Sequence, residues 1–215
     1  MLSLKNRHLY LILDTMYIGA ERLCEIAREC CEAGVDIIQF RDYSLSDAHA
    51  LNICCQLKEI TASYSIPFIV NNRLDLALAS DADGVHLGQD DLPVPVARSI
   101  ADQYGKKIII GASTHSADQA LHTRILNPDY IAIGPLFATG TKPEYTAIGI
   151  DVAAQVVNTI DIPVFAIGGV ALARLNKITE YGINRVAVVS AILQANDKYE
   201  KVTQFKQQLK GEING

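Results

Sequence analysis

The feature that most constrains the fold is a pair of short apolar runs, Phe68–Val70 and Gly84–Leu87, each of which breaks off into polar residues. The polar residues are Asn71-Asn72-Arg73 after the first run and Gln89-Asp90-Asp91 after the second, with a short helical pattern between the runs. Strands of a parallel sheet are buried on both faces, so they appear as continuous apolar runs. Because the carboxyl ends of such strands open into one crevice where ligands bind, we expect these polar residues to meet there.

The same unit recurs along the chain, and similar phrases precede the apolar runs, as in AGVDIIQF, SDADGVHL, NPDYIAI and YGINRVAV. Eight strand–helix units predict an α/β fold, a single (β/α)8 TIM barrel formed by residues 1–215 as one domain. A doubly wound open sheet is the alternative, but no G-x-G-x-x-G follows the first run. The predicted strands are Leu9–Leu13, Asp36–Phe40, Pro67–Val70, Gly84–Leu87, Lys107–Ile110, Tyr130–Ile133, Pro163–Ala166 and Arg185–Val189.

Helical spacing fills the segments between these runs. Ser46 is predicted to cap the second helix and Pro93 to open the fourth, both favoured positions for these residue types. A final helix is predicted to run to about Lys210.

Composition narrows the class of protein. The chain has 215 residues, 49% of them apolar, and a net charge of −5 with scattered Lys and Arg, which argues against a nucleic-acid surface. No apolar run approaches the roughly 18 residues of a membrane span, and the N-terminal apolar stretch is predicted to be a strand and not a signal peptide. The five cysteines have no zinc-binding spacing, so reduced thiols in a cytoplasmic protein are expected. A homodimer is compatible with a barrel of this size.

The predicted strand ends are polar or glycine, although every strand is apolar. On a barrel all of these ends open on one face, so their combination predicts an active site there. The residues at these ends are Asp14, Arg41, Asn71, His86, Ser113, Gly134, Gly168-Gly169 and Ser190.

Two segments offer groups that bind phosphate. Gly168-Gly169 follows the seventh predicted strand and Ser190 the eighth, where barrels commonly bind phosphate through glycine backbone and helix N-termini. The loop after the sixth strand carries Thr139, Thr141 and Lys142, and its length favours a functional loop over a solvated connection. We therefore expect two phosphate-bearing ligands, which the residues alone do not identify further.

Oxygen ligands for Mg²⁺ are also available. Asp90 and Asp91 follow the fourth strand and could bind the ion through one carboxylate and waters, with Asn72 adding an amide oxygen. His86 lies within a strand and is more typical of a satisfied core histidine. His115 lies at a strand-to-helix junction, where it could transfer protons or simply begin the helix.

No catalytic triad can be assembled from these residues. A diphosphate becomes a good leaving group once Mg²⁺, Arg and Lys neutralise its charge, so transfer of an electrophilic group from a diphosphate to a phosphorylated acceptor is the implied reaction class. An isomerase that acts on one phosphorylated substrate remains the alternative.

Seven phrases, in this order, resemble the thiamine-phosphate synthase (thiamine-phosphate pyrophosphorylase) family over nearly the whole chain: IIQFRD, PFIVNNRLDLAL, ADGVHLGQDD, GASTH, DYIAIGPLFATGTK, PVFAIGGV and VAVVSAI. The resemblance implies a (β/α)8-barrel transferase of thiamine biosynthesis. It joins hydroxymethylpyrimidine diphosphate to hydroxyethylthiazole phosphate, uses Mg²⁺ and releases diphosphate. The bond change would be dissociative, with no side-chain nucleophile.

Roles for individual residues follow from the resemblance alone. It implies that the pyrimidine diphosphate is bound by Gln39, Phe40, Arg41, Asp42, Tyr43, Asn71, Ser113 and Lys142. It implies that the thiazole phosphate is bound by Thr139, Gly140, Thr141, Gly169, Val189 and Ser190. The candidate catalytic side chains are Arg41, Ser113, Lys142 and His115, and the candidate Mg²⁺ ligands are Asn72 and Asp91.

Two residues depart from the family's pattern. Tyr43 stands where a lysine is expected, and Asn72 stands where an aspartate is expected, so each removes one charge that would neutralise or bind at the diphosphate site. These departures favour two alternatives. One is the sister family of thiazole tautomerases, in which His115 would be the acid and base. The other is a catalytically dead regulatory barrel that binds thiazole phosphate.

Overall fold

The computed structural model describes residues 3–138 and 146–211, which form a closed barrel of eight parallel strands in chain order. The strands are β1 Leu9–Asp14, β2 Ile37–Arg41, β3 Phe68–Asn71, β4 Gly84–Leu87, β5 Ile109–Thr114, β6 Tyr130–Ile133, β7 Val164–Ile167 and β8 Val186–Val188. Each strand pairs with the next, and β1 pairs with β8 through Leu9 and Val186, which closes the barrel. The prediction of a (β/α)8 barrel is confirmed.

Helices follow the strands and cover the outside of the barrel. They are α1 Leu23–Glu32, α2 Asp47–Ser63, α3 Leu74–Ala79, α4 Val94–Gln103, α5 Ala117–Ile125, α6 Ile150–Thr159, α7 Leu172–Thr179, α8 Ser190–Leu193 and α9 Lys198–Gly211. Ser46 and Pro93 are the N-cap residues of α2 and α4, but the Ser46 side chain makes no capping hydrogen bond. The predicted final helix is α9, which ends at Gly211, and the short α8 precedes it.

The core has two layers because side chains of a barrel strand point alternately inward and outward. The outward side chains, such as Leu11 and Val85, pack against the helices in the larger apolar layer. The inward layer is filled by Tyr10, Tyr130 and Phe165, whose rings pack edge to face with centroids 5.4–5.8 Å apart. The barrel interior is therefore filled by side chains at this level.

The cysteines at positions 24, 30, 31, 54 and 55 are free thiols. Within residues 3–138 and 146–211, no helix is both long and apolar enough to cross a membrane.

Candidate active site

A cavity opens at the carboxyl ends of the strands, where the sequence predicts the active site. Residues from all eight strands and from several of the segments that follow them contribute to its wall. The predicted site residues on this wall are Gln39, Arg41, Asn71, Ser113, His115, Gly169, Val189 and Ser190. The structure thus gathers in one cavity groups that lie up to about 150 positions apart in the sequence.

The pleat of β2 decides which predicted residues reach this cavity. Gln39 and Arg41 alternate with Phe40, whose side chain is buried in the layer between the sheet and the helices. The Phe40 side chain therefore points away from the cavity mouth, and only its backbone is at the height of the site.

Arg41 is held in place by a buried ion pair. Its Nη1 donates to Oδ2 of Asp14 at 2.7 Å, and the Asp14 side chain is fully buried. The other carboxylate oxygen, Oδ1, accepts the backbone N–H of Met16 at 2.9 Å. Burial lowers the pKa of Arg41, but the Tyr43 hydroxyl and the Asp14 carboxylate outweigh it and raise the pKa above its usual value. Arg41 therefore stays cationic at the cavity wall.

Tyr43, the residue found in place of the family's lysine, touches two of the predicted site residues. Its hydroxyl oxygen accepts long hydrogen bonds from Arg41 Nε at 3.4 Å and Asn71 Nδ2 at 3.3 Å. The Arg41 guanidinium also lies 5.1 Å from the centre of the Tyr43 ring, a distance typical of a cation–π contact. Because the oxygen accepts both bonds, the phenolic proton can be donated to another group.

Asp42 has a structural role in the loop after β2. Its carboxylate accepts hydrogen bonds from the Thr15 hydroxyl at 2.6 Å, the Leu45 N–H at 2.9 Å and both donors of Ser44. Burial raises the pKa of Asp42, but these hydrogen bonds outweigh it and leave the pKa below its usual value. The carboxylate is therefore ionised and occupied by the loop, which leaves little of it for a metal or a substrate.

Oxygen donors suited to Mg²⁺ lie at the ends of β3 and β4. Asn72 has a left-handed backbone (φ 61°), and its N–H donates to the carbonyl of His86 at 2.8 Å. Asp91 Oδ2 accepts the N–H of Gly88 at 2.6 Å, which anchors this carboxylate just after β4. The described part of the chain has no group of three or more His, Cys, Asp or Glu that could hold a metal ion. This donor set fits an Mg²⁺ that takes few protein ligands and completes its shell with water and phosphate oxygens.

His86 and Ser113 are joined inside the barrel mouth. His86 Nε2 lies 2.9 Å from Ser113 Oγ, and His86 Nδ1 lies 3.0 Å from the Tyr130 hydroxyl. The imidazole is 7% exposed and stacks on the Tyr130 ring. The interpretation of His86 as a satisfied, nearly buried histidine thus agrees with its contacts, although one of those contacts is a predicted site residue.

His115 follows β5 and is held by hydrogen bonds to the segment after β6 and to α5. Its Nδ1 lies 2.6 Å from the carbonyl oxygen of Gly134, to which it donates, and its backbone N–H donates to Gln119 Oε1 at 2.6 Å. The ring is therefore oriented by the end of β6, on the wall of the cavity.

The far side of the cavity is formed by the segments after β7 and β8. Gly168 (φ 96°) and Gly169 (φ 65°) have left-handed backbones, and a side chain on Gly169 would approach Phe137 Cβ to 2.8 Å. Val189 precedes α8 and Ser190 begins it, and the first N–H groups of a helix have no partner within that helix. Together these backbone groups make a wall that an anion can approach closely.

Four predicted site residues, Thr139, Gly140, Thr141 and Lys142, lie outside the described residues. Conversely, the structure shows specific contacts for residues to which the sequence assigned no binding or catalytic role. Asp14 was recognised only as a strand end, and its pairing with Arg41 follows from their neighbouring positions in β1 and β2. Tyr10 and Tyr130 were taken as strand residues, and the only sequence signal for their role is a hydroxyl at an inward-facing position.

A closed barrel whose strand ends converge on one cavity defines the class of (β/α)8-barrel enzymes. Within this class the chain belongs to the thiamine monophosphate synthase family, whose model matches residues 9–192. The predicted family, the predicted transferase activity of a thiamine-phosphate synthase and the role in thiamine biosynthesis are thereby confirmed.

Individual relatives agree with this assignment. The chain is 39% identical over 193 residues to the thiamine-phosphate synthase of Clostridium botulinum (strain Kyoto / Type A2), covering 89% of this chain and 93% of that protein. It is 38% identical to the enzyme of the same name from Desulfitobacterium hafniense (strain Y51), covering 88% and 90%. The thiamine phosphate pyrophosphorylase of Pyrococcus furiosus superimposes with a TM-score of 0.87 at 32% identity, covering 96% of both chains. A 3-hexulose-6-phosphate synthase at 18% identity and a TM-score of 0.73 shares the fold alone.

Proposed function

We propose that the chain joins hydroxymethylpyrimidine diphosphate to hydroxyethylthiazole phosphate, with Mg²⁺, in the cavity at the barrel mouth. The observation that carries this proposal is the arrangement of that cavity. Gln39, Arg41, Asn71 and Ser113 lie on one side, and the backbone of Gly169 lies with that of Ser190 on the other. A single cavity with a cationic side and an amide-rich side suits two phosphorylated ligands that must meet.

The pyrimidine diphosphate binds on the side of β2 to β5. Arg41 faces its diphosphate, and Asp14 keeps the guanidinium in one orientation, so little reorganisation is needed during the reaction. Tyr43 adds a hydroxyl donor beside Arg41, where its relatives' pattern has a lysine. Asp91 and Asn72 would hold Mg²⁺, which when bound neutralises further charge on the diphosphate.

The thiazole phosphate binds on the side of β7 and β8. The backbones of Gly169, Val189 and Ser190 face its phosphate. The family resemblance assigns Thr139, Gly140 and Thr141 to the same phosphate and Lys142 to the pyrimidine diphosphate, and these four residues lie outside the described part of the chain. In the reaction the bond between the pyrimidine methylene carbon and the diphosphate oxygen breaks, and the electron pair leaves with diphosphate. The thiazole nitrogen then donates its lone pair to the cationic methylene carbon, which forms the new C–N bond.

An assay of product formation tests this function. The purified protein is mixed with both substrates and Mg²⁺, and thiamine phosphate is followed by oxidation to its fluorescent thiochrome. Arg41→Ala should lower kcat/KM by about 10²–10³-fold, the cost of removing one preorganised group that stabilises developing charge. Arg124→Ala is the matched control, because Arg124 lies in the last turn of α5 and pairs with Asp161 away from the cavity. The absence of product at high enzyme concentration would contradict the proposal.

The cellular location and the oligomeric state of the protein are also proposed. The free thiols at positions 24, 30, 31, 54 and 55 support a cytoplasmic location, where thiols stay reduced. A homodimer is proposed from the size of the barrel alone, and analytical ultracentrifugation would test it.

A further inference from the structure

A continuous chain of hydrogen bonds crosses the interior of the barrel and ends at two predicted substrate-binding residues. Gln39 Nε2 donates to the Tyr10 hydroxyl at 2.7 Å, and the Tyr10 and Tyr130 hydroxyls are 2.8 Å apart. The Tyr130 hydroxyl lies 3.0 Å from His86 Nδ1, and His86 Nε2 lies 2.9 Å from Ser113 Oγ. Gln39 and Ser113 both line the active-site cavity, whereas the two tyrosines lie in the packed interior below it.

Burial fixes the direction in which these groups donate. Tyr10 and Tyr130 are at most 1% exposed, so water cannot serve their hydroxyls, and an unpaired buried hydroxyl is costly. Burial also raises the pKa of Tyr10 and of Tyr130, which keeps both phenols protonated. Each phenol therefore has one proton to donate and must donate it to a neighbour in the chain.

The order of the protons follows from the Gln39 amide. Because its nitrogen donates to Tyr10, the Tyr10 proton must go to Tyr130, and the Tyr130 proton must go to His86 Nδ1. His86 then carries its proton on Nε2 and donates it to Ser113 Oγ. At the cavity, Gln39 is left with a carbonyl oxygen that accepts, and Ser113 is left with a hydroxyl that donates.

We propose that this chain couples Gln39 to Ser113, so that the donor or acceptor presented at one end fixes the donor or acceptor presented at the other. Tyr10, Tyr130 and His86 are positioning residues that act through these two ends. If the Gln39 amide turned over, Tyr10 would donate to its oxygen, and every later bond would reverse. The cavity would then present a donor at Gln39 and an acceptor at Ser113, and it would favour a ligand of opposite polarity.

The substitution Gln39→Glu tests the coupling without a measurement of enzyme activity. An ionised carboxylate can only accept, so Tyr10 must donate to it, Tyr130 to Tyr10, and His86 to Tyr130 through Nδ1. We expect the neutral His86 ring to change from the Nε2–H form in the unchanged protein to the Nδ1–H form in the variant. Long-range ¹H–¹⁵N correlation spectra of ¹⁵N-histidine protein distinguish the two forms. The spectra are recorded at about pH 9, above the ordinary pKa values of both histidine and glutamate.

A second background provides the control. Tyr130→Phe interrupts the chain between Gln39 and His86, so adding Gln39→Glu to it should leave the His86 form unchanged. The His86 signals are assigned by their absence from a His86→Gln variant. The coupling is overturned if His86 has the same form in the unchanged protein and in Gln39→Glu. It is also overturned if the form changes in the Tyr130→Phe background.

A kinetic comparison tests the consequence for the substrate, and this part rests on the proposed function. In Tyr130→Phe the Tyr10 hydroxyl retains only the Gln39 amide as a partner, which forces the amide to turn its oxygen away from the cavity. We expect KM for the pyrimidine diphosphate to rise by about tenfold, as for one lost hydrogen bond. The double variant Tyr10→Phe/Tyr130→Phe removes that constraint and should recover part of the loss, with KM for the thiazole phosphate unchanged in both. A double variant that is as poor as the single one, or poorer, overturns this role of the chain. If no variant and no unchanged protein makes product, the proposed function fails while the spectroscopic test still decides the coupling.

Discussion

Replacing Asp14 by Asn should destabilise the protein through Arg41. The Asp14 side chain is fully buried and the Arg41 side chain is 10% exposed, so water reaches neither charge well. An asparagine oxygen could still accept the N–H of Met16, as Asp14 Oδ1 does at 2.9 Å. Its amide nitrogen would then face Arg41 Nη1, which places a donor against a donor where the ion pair now measures 2.7 Å.

The size of the effect follows from this geometry. Breaking a buried ion pair by removing one partner typically costs about 3–5 kcal/mol, because the remaining charge is left buried without compensation. The Tyr43 hydroxyl and ring still contact the guanidinium, so we expect a loss near the lower limit, about 3 kcal/mol. Removing both charges in Asp14→Asn/Arg41→Met should restore most of this loss, since the uncompensated charge is then absent.

Equilibrium urea unfolding measures these changes. The chain has no tryptophan, so far-ultraviolet circular dichroism is the main probe, and tyrosine fluorescence checks that both signals report one transition. Asp161→Asn is the matched control because Asp161 pairs with Arg124 on the surface, and we expect its unfolding midpoint to match that of the unchanged protein. If Asp14→Asn unfolds at the same urea concentration as this control, the ion pair with Asp14 does not stabilise the buried Arg41.

Three further substitutions test the candidate site. Asn72→Asp should lower the Mg²⁺ concentration needed for half-maximal activity by about tenfold, because it adds a carboxylate ligand. Aspartate also tolerates the left-handed backbone of this position. An unchanged Mg²⁺ titration would exclude residue 72 as a ligand. Tyr43→Phe should reduce kcat/KM for the pyrimidine diphosphate by about fivefold to tenfold. Arg41 and Asn71 lose the hydroxyl oxygen that both of them contact, and the substrate loses a hydrogen-bond donor. Equal kcat/KM values for the variant and the unchanged protein would contradict a contact between Tyr43 and the substrate. His115→Ala should keep synthase activity within about tenfold, because the proposed reaction needs no side-chain base; a loss of several hundredfold in kcat would indicate proton transfer by His115.

Much of the fold could be predicted because each strand is an uninterrupted apolar run. β4 and β6 have the predicted bounds, but β5 was predicted to end at Ile110 and extends to Thr114. Gly111 and Ser113 look like turn residues in the sequence, yet they pair with β6 through Tyr130 and Ala132. A side chain at Gly111 would collide with the Tyr130 ring, so this glycine serves the packing of the interior and not a turn. Such a contact between strands is not visible in a linear sequence.

The candidate site also has parts that the sequence predicts and parts that it does not. Polar residues at strand ends, such as Arg41 and Asn71, could be identified because each follows an apolar run directly. The hydrogen-bond chain could not, because Tyr10 and Tyr130 are aromatic residues in apolar runs, and only barrel closure brings their hydroxyls within 2.8 Å. The direction of each hydrogen bond in the chain depends on all five residues together, and no single sequence motif contains all five.

Tyr43 shows why a departure from a family pattern must be judged in the structure. In the sequence it removes a lysine charge from the diphosphate site, which favoured the tautomerase and regulatory alternatives. In the structure its hydroxyl lies between Arg41 and Asn71, and its ring faces the guanidinium at 5.1 Å. The tyrosine therefore contacts the remaining cation and keeps a phenolic proton that it can donate. Under the proposed function, the exchange lowers the positive charge beside the diphosphate and leaves a neutral hydroxyl donor in its place.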